Sequence, residues 1–258
     1  MVAWNESTIE IAGTKMHFAR AGEGPPILLL HRDTGPLETS AFQDELANTA
    51  NLLLPHHPGW GRSTRAQWMR SVRDVAVVYR GLLAELGVTR PVLVGLGFGG
   101  WIAAEMATMA PADLAKLVLV APMGIKPPEG DILDQAIISY LDYARAGFND
   151  QSAFDKTYGA EPTTDQLEAW DIAREMCFRI AWKPYMYSQT LPHLLASVKV
   201  PALLVWGDKD KVVPLATAKR YLAALANAKL EVFEGCGHCV DLERPAILAK
   251  LVARFIAA

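Results

Sequence analysis

Three short segments of this 258-residue chain carry residue types that could do chemistry, and each follows an apolar run of strand length. Leu93-Val94-Gly95-Leu96-Gly97-Phe98-Gly99-Gly100 feeds a glycine-rich turn into an apolar stretch of helical spacing. Trp206-Gly207-Asp208-Lys209-Asp210 brings carboxylates to the end of a second run, and Glu234-Gly235-Cys236-Gly237-His238 brings an imidazole to the end of a third. A carboxylate hydrogen-bonded to an imidazole orients it and stabilises its protonated form, which makes a general base or acid near neutral pH. The glycine turn supplies no partner for that pair, because glycine can neither attack a carbonyl nor hold an acyl group.

Other chemistry-bearing residues are weaker candidates. Cys236 and Cys239 have C-x-x-C spacing, but a redox motif needs its first cysteine at a helix N-terminus early in a βαβ unit. Here the pair follows the last apparent strand, so two small, partly buried thiols flanking His238 are expected. His56-His57 has no Asp, Glu or Cys close by in sequence and is expected to face solvent or pack beside Pro58, without a metal. The glycines from Gly95 to Gly100 lie far from the first βαβ unit, outside the context of a dinucleotide loop, and no Walker motif occurs. No cofactor and no metal are expected.

Strand signals fall at Thr8–Ile11, Lys15–Ala19, Pro26–His31, Asn51–Pro55, Pro91–Val94, Leu117–Val120, Ala202–Trp206 and Lys229–Phe233. Helical spacing covers Met69–Leu86, Gly99–Met109, Ala216–Leu225 and Ala246–Ala257. Strands alternating with helices imply an α/β fold with a mostly parallel sheet and helices on both faces. The first two β segments, joined by Ala12-Gly13-Thr14, suit an antiparallel edge. From about 125 to 197 the alternation stops and aromatics and methionines crowd in, which reads as a helical insertion. The expected division is a core of 1–124 and 198–258 and a helical cap of 125–197. Trp170, Phe178, Trp182 and Tyr185 are expected in the cap core or on a pocket wall.

Taken in this order, the segments resemble the α/β-hydrolase family over nearly the whole chain. The glycine turn is similar to the nucleophile elbow G-x-S-x-G. The resemblance implies that Asp210 is the orienting acid, His238 the catalytic base, and Gly97 the nucleophile position. His31 is similar to the histidine that introduces the oxyanion loop, here Arg32-Asp33-Thr34-Gly35-Pro36, and Pro58-Gly59-Trp60-Gly61-Arg62-Ser63 also matches a family segment. The backbone N–H of Phe98, and an amide of Arg32 or Asp33, would be the oxyanion donors. Three positions depart from the pattern: Gly97 stands for serine, Leu96 for a residue that is often polar, and Arg32 for the glycine after the histidine. Ser63 lies in a loop, and Ser40, Ser71, Ser139 and Ser188 belong to helices or the cap, so none fills the gap.

The net charge of −3, with no Lys/Arg run longer than two, suggests neither a nucleic-acid groove nor a membrane patch. The N-terminus lacks the pattern of a secretory signal, so a cytoplasmic protein is expected. The expected partner is a small, largely apolar molecule with an ester or carbonyl group, bound beneath the cap. Two functions follow: an enzyme in which His238 activates water, or moves a proton in a lyase step, and a non-catalytic protein that keeps the pocket to hold a ligand.

Overall fold

The computed structural model describes residues 2–258. Its elements run β1 (Asn5–Ile11), β2 (Thr14–Ala21), β3 (Pro26–Leu30), α1 (Ala41–Ala47), β4 (Asn51–Pro55), α2 (Val72–Glu85), β5 (Val92–Leu96), α3 (Phe98–Met109) and β6 (Lys116–Val120). They continue α4 (Tyr140–Ala146), α5 (Gln151–Tyr158), α6 (Thr164–Ala181), α7 (Leu191–Leu194), β7 (Ala202–Gly207), α8 (Thr217–Ala224), β8 (Ala228–Phe233), α9 (Val240–Glu243) and α10 (Pro245–Ala257). The eight strands form one sheet in the order β1-β2-β4-β3-β5-β6-β7-β8. β2 is antiparallel to β1 and to β4, and the other pairings are parallel.

Coverage explains the strand patterns. All residues of β5 and β7 are buried, as expected of central parallel strands with helices on both faces. The edge strand β8 alternates between half-buried and exposed positions along most of its length. One helical layer holds α1 and α10, packed together and covering Val94, Leu96, Val118 and Val205. The other holds α2, α3 and α8, and its apolar core runs on into the insertion. α2 starts later than the periodicity suggests because Ser71 caps it, exchanging hydrogen bonds with Asp74 in a capping box.

Between β6 and β7 lie α4 to α7 and no strand longer than the Gly124–Tyr187 bridge. Trp170 is fully buried here and stacks on Tyr140, with Phe154 and Tyr158 around it. Phe178 and Tyr185 are half-buried. Trp182 departs from expectation: it is 47% exposed. It is the C-cap residue of α6, where the helix's buried stripe ends, and it extends an aromatic row outward from Phe178, 4.8 Å away. His56 and His57 are buried rather than solvent-facing. His57 is held by the His31 carbonyl at 2.9 Å, its other nitrogen meets the Tyr79 hydroxyl, and His56 Nδ1 accepts the Arg62 amide.

Candidate active site

Gly97 forms the tip of the turn from β5 into α3, with φ 51° and ψ −111°. The turn is pressed close to its neighbours, since a Cβ on Gly99 would collide with the Leu30 and His31 carbonyls, and one on Gly95 with the start of α3. At Gly97 itself, a Cβ would stand 2.8 Å from His238 Nε2 and 3.3 Å from Arg32 Cγ. A side chain grown from this position would therefore enter a space bounded by the imidazole and the Arg32 stem. Phe98 opens α3, so its N–H has no intrahelical acceptor.

His238 arrives on the loop after β8, and Asp210 on the loop after β7. His238 Nδ1 lies 2.9 Å from Asp210 Oδ2, and both side chains are almost fully buried. Asp210 Oδ1 accepts the amides of Val212 and Val213, each at 2.8 Å, which fixes the carboxylate before it meets the ring. With Nδ1–H given to Asp210, Nε2 is an acceptor, and it is buried without a partner. The His238 loop is anchored by Glu243, whose carboxylate takes the amides of Gly237 (2.7 Å), Asn149 (3.2 Å) and Asp150 (2.9 Å). One carboxylate thus ties the His238 loop to the insertion.

The loop after β3 brings in the remaining residues. His31 is neutral by burial; its Nδ1 meets the Arg32 carbonyl at 2.6 Å and its Nε2 accepts the His57 amide at 2.9 Å. Arg32 is buried, its guanidinium paired with Asp241 and 3.3 Å from the His238 carbonyl. Asp33 is also buried. Its Oδ2 accepts Tyr143 Oη and Gln135 Nε2, both at 2.6 Å, and both donors come from the insertion. Burial pushes the Asp33 carboxyl above the usual aspartate range. Leu96 corrects the sequence reading. It joins Val92 and Val94 in the layer under α1 and α10, away from the insertion, because residues two apart on a strand share a face.

A model of the alpha/beta hydrolase family matches residues 27–251, spanning every landmark just described. The chain belongs to this family. A 2-hydroxy-6-oxononadienedioate/2-hydroxy-6-oxononatrienedioate hydrolase of Burkholderia vietnamiensis is 30% identical, with 94% of this chain and 91% of the relative covered. A 2-hydroxymuconate semialdehyde hydrolase of a Pseudomonas species is 28% identical, with 95% and 92% covered. Among solved structures, the meta-cleavage product hydrolase CumD of Pseudomonas fluorescens superposes with a TM-score of 0.81 at 22% identity, covering 97% of each chain. A serine hydrolase of Cycloclasticus zankles superposes with a TM-score of 0.81 at 21% identity, covering 99% of this chain and 98% of that one. At these identities the superpositions speak for the fold.

In this alpha/beta hydrolase, sequence reasoning named Gly97, Phe98, Arg32, Asp210 and His238, and the fold gathers them at the ends of β3, β5, β7 and β8. Trp170 packs in the insertion, and Tyr185 donates its hydroxyl to the Leu133 carbonyl at 2.9 Å. Asp241, Glu243, Gln135 and Tyr143 were missed. A carboxylate three residues after His238 was the available signal for Asp241, since Arg32 needs an anion wherever it is buried. Burial pushes the Cys236 thiol up to about 12, and Cys239 is raised in the same way. Among the described residues, no group of three or more His, Cys, Asp or Glu is placed to hold a metal ion, and no helix is long and apolar enough to cross a membrane.

Proposed function

We propose that this alpha/beta hydrolase is an enzyme that adds water across a small, largely apolar ester or carbonyl compound without forming an acyl-enzyme. Gly97 stands where the elbow of a hydrolase carries its serine. The observation that carries the proposal is the unpartnered, buried His238 Nε2, 2.8 Å from the Cβ position of Gly97, with Asp210 on the opposite ring nitrogen. A dyad so arranged has an acceptor aimed at the place where a nucleophile belongs. Water takes that place. His238 removes its proton, the oxygen attacks the carbonyl carbon, and the oxyanion is met by the Phe98 N–H and an amide of the Arg32–Asp33 loop. Breakdown of the adduct returns the proton, and the helical insertion of 125–197 acts as the cap over the substrate. The relatives' names make 2-hydroxy-6-oxo dioates and 2-hydroxymuconate semialdehyde the first compounds to assay beside simple esters.

A non-catalytic ligand-binding role draws support from one feature: the imidazole and the Arg32 stem already crowd the Gly97 Cβ position. Assay of the wild type and His238→Ala on p-nitrophenyl acetate and on 2-hydroxymuconate semialdehyde separates the two. The enzyme reading expects turnover that falls by about 10²–10⁴-fold in the variant, without labelling of the wild type by a fluorophosphonate. Equal rates in both proteins, or no turnover by the wild type, would sink it.

A further inference from the structure

The His238 loop is held from the insertion as well as from the sheet. The turn between α4 and α5, residues 147–150, meets that loop on both sides of the imidazole. Before it, Asn149 Nδ2 donates to the Gly235 carbonyl at 3.0 Å. After it, the Cys239 N–H donates to the Gly147 carbonyl at 2.8 Å. The two segments lie so close that a Cβ on Gly237 would stand 2.7 Å from the Asn149 nitrogen and 2.8 Å from the Gly147 oxygen. Glu243, buried at the end of α9, completes the contact. Its Oε1 accepts the amides of Gly237 and Asn149, and its Oε2 accepts that of Asp150. Hydrogen bonds to an ionised carboxylate are roughly twice as strong as neutral ones. Asp210, in contrast, is set by amides of its own loop, those of Val212 and Val213.

From this geometry we propose that Glu243 is a positioning residue: it makes the placement of His238 depend on the seating of the insertion. The proposal rests on the reading of His238 as the base and names how that base is regulated. His238 is only 2% exposed and Phe98 is fully buried, so a substrate enters only when the insertion or a loop beside it moves. Displacement of the 147–150 turn pulls on both carboxylate oxygens and, through Gly237, on the residue next to His238. Nε2 then leaves the place where water must lie. When the turn returns, the same bonds restore the ring, so the base is set only under a seated insertion. Misplacing a reacting group by about 1 Å costs on the order of a hundredfold in rate, which gives an indirect tie of this kind a large effect. Glu243 makes no bond to the substrate and exchanges no proton in this role.

Glu243→Gln is the informative variant. An amide has one acceptor oxygen, so it can hold Gly237 and Asn149, or Asp150, but not both sets. At a temperature where wild type and variant are fully folded, kcat on p-nitrophenyl acetate should fall by roughly ten- to a hundredfold with KM nearly unchanged. Asn149→Ala removes the bond to Gly235 and should give a smaller loss of the same kind. The double variant should be about as slow as Glu243→Gln alone, because both substitutions open one join. Losses that multiply would show Glu243 acting on Gly237 without the insertion and would overturn the proposal, as would a raised KM with kcat unchanged. The proton resonance of His238 Nδ1–H, the hydrogen given to Asp210, supplies a reading that needs no turnover. It should broaden or vanish in Glu243→Gln and weaken in Asn149→Ala, and a resonance unchanged in both would also overturn the proposal. If Gln at 243 prevents folding, Asn149→Ala decides alone, since Asn149 is exposed: wild-type kcat together with a wild-type resonance would sink the tie. Wild type inactive on both p-nitrophenyl acetate and 2-hydroxymuconate semialdehyde would end the hydrolytic reading, and the resonance alone would then carry or overturn the link between Glu243 and His238.

Discussion

The strand-end half of the site and the insertion half are held in different ways. In the core, backbone constrains the turn and the acid: Gly99 and Gly95 leave no room for a Cβ, and two amides grip Asp210 before it touches His238. On the insertion side, position depends on side chains: Tyr143 and Gln135 reach across to Asp33, and Tyr185 holds Leu133 within the insertion. The first arrangement tolerates almost no movement and suits bond-making groups, which lose rate steeply when misplaced. The second can be rebuilt by substitution without refolding the sheet. Glu243 ties the insertion to the His238 loop, and the Arg32–Asp241 pair ties the loop after β3 to the segment that follows His238.

The largest effect should come from breaking that join. Asp241→Asn leaves the Arg32 guanidinium buried without its anion, and losing one partner of a buried pair costs about 3–5 kcal/mol. A thermal melt should show it. A double substitution, Arg32→Met with Asp241→Leu, removes both charges and should recover much of the loss. If Asp241→Asn melts like the wild type, the pair does not hold the core-side loop.

The insertion offers an internal contrast. Trp170 is fully enclosed by Tyr140, Phe154 and Tyr158, and Trp170→Ala should cost about 3–5 kcal/mol. Trp182, half exposed at the end of α6, should change stability by only about 0.5 kcal/mol when replaced by alanine. Chemical denaturation of the two variants checks this. A Trp182→Ala loss as large as that of Trp170→Ala would mean that the row from Phe178 to Tyr185 supports the insertion.

The same contrast governs how much could be read beforehand. The strand ends were legible because strands buried on both faces leave continuous apolar runs, and the turns that follow carry glycines, Asp210 and His238. The facing of Leu96 was not, because a run without alternation does not say which layer each residue meets. Trp182 was misplaced because aromatic content marks a packed insertion without marking where its helix stops. The burial of His57 was hidden because its partners, His31 and Tyr79, lie 22 or more residues away. The grip on Asp33 spans more than 100 residues, beyond any local pattern. The short helix α1 gave too few turns for its period to be seen.

Gly97→Ser tests the core half most directly. Serine at φ 51° is strained, and the Cβ would press on His238 Nε2 at 2.8 Å. The strain at this backbone conformation should cost about 1–3 kcal/mol. The obstructing atom is the end of an imidazole rather than backbone, so the ring can retreat by a few tenths of an ångström and still accept from the new hydroxyl. The variant should then complete a Ser–His–Asp arrangement, react with a fluorophosphonate at residue 97, and lose that reaction when His238→Ala is added. The gain should be modest, because Arg32 Cγ stands 3.3 Å from the same Cβ and narrows the approach of an acyl group. Adding Arg32→Gly should widen it, provided Asp241→Asn accompanies the change so that no carboxylate is left buried alone. A folded Gly97→Ser chain that takes no label, with or without the Arg32 change, would show that the turn cannot aim a side chain at His238, and the water-activating geometry would fall with it.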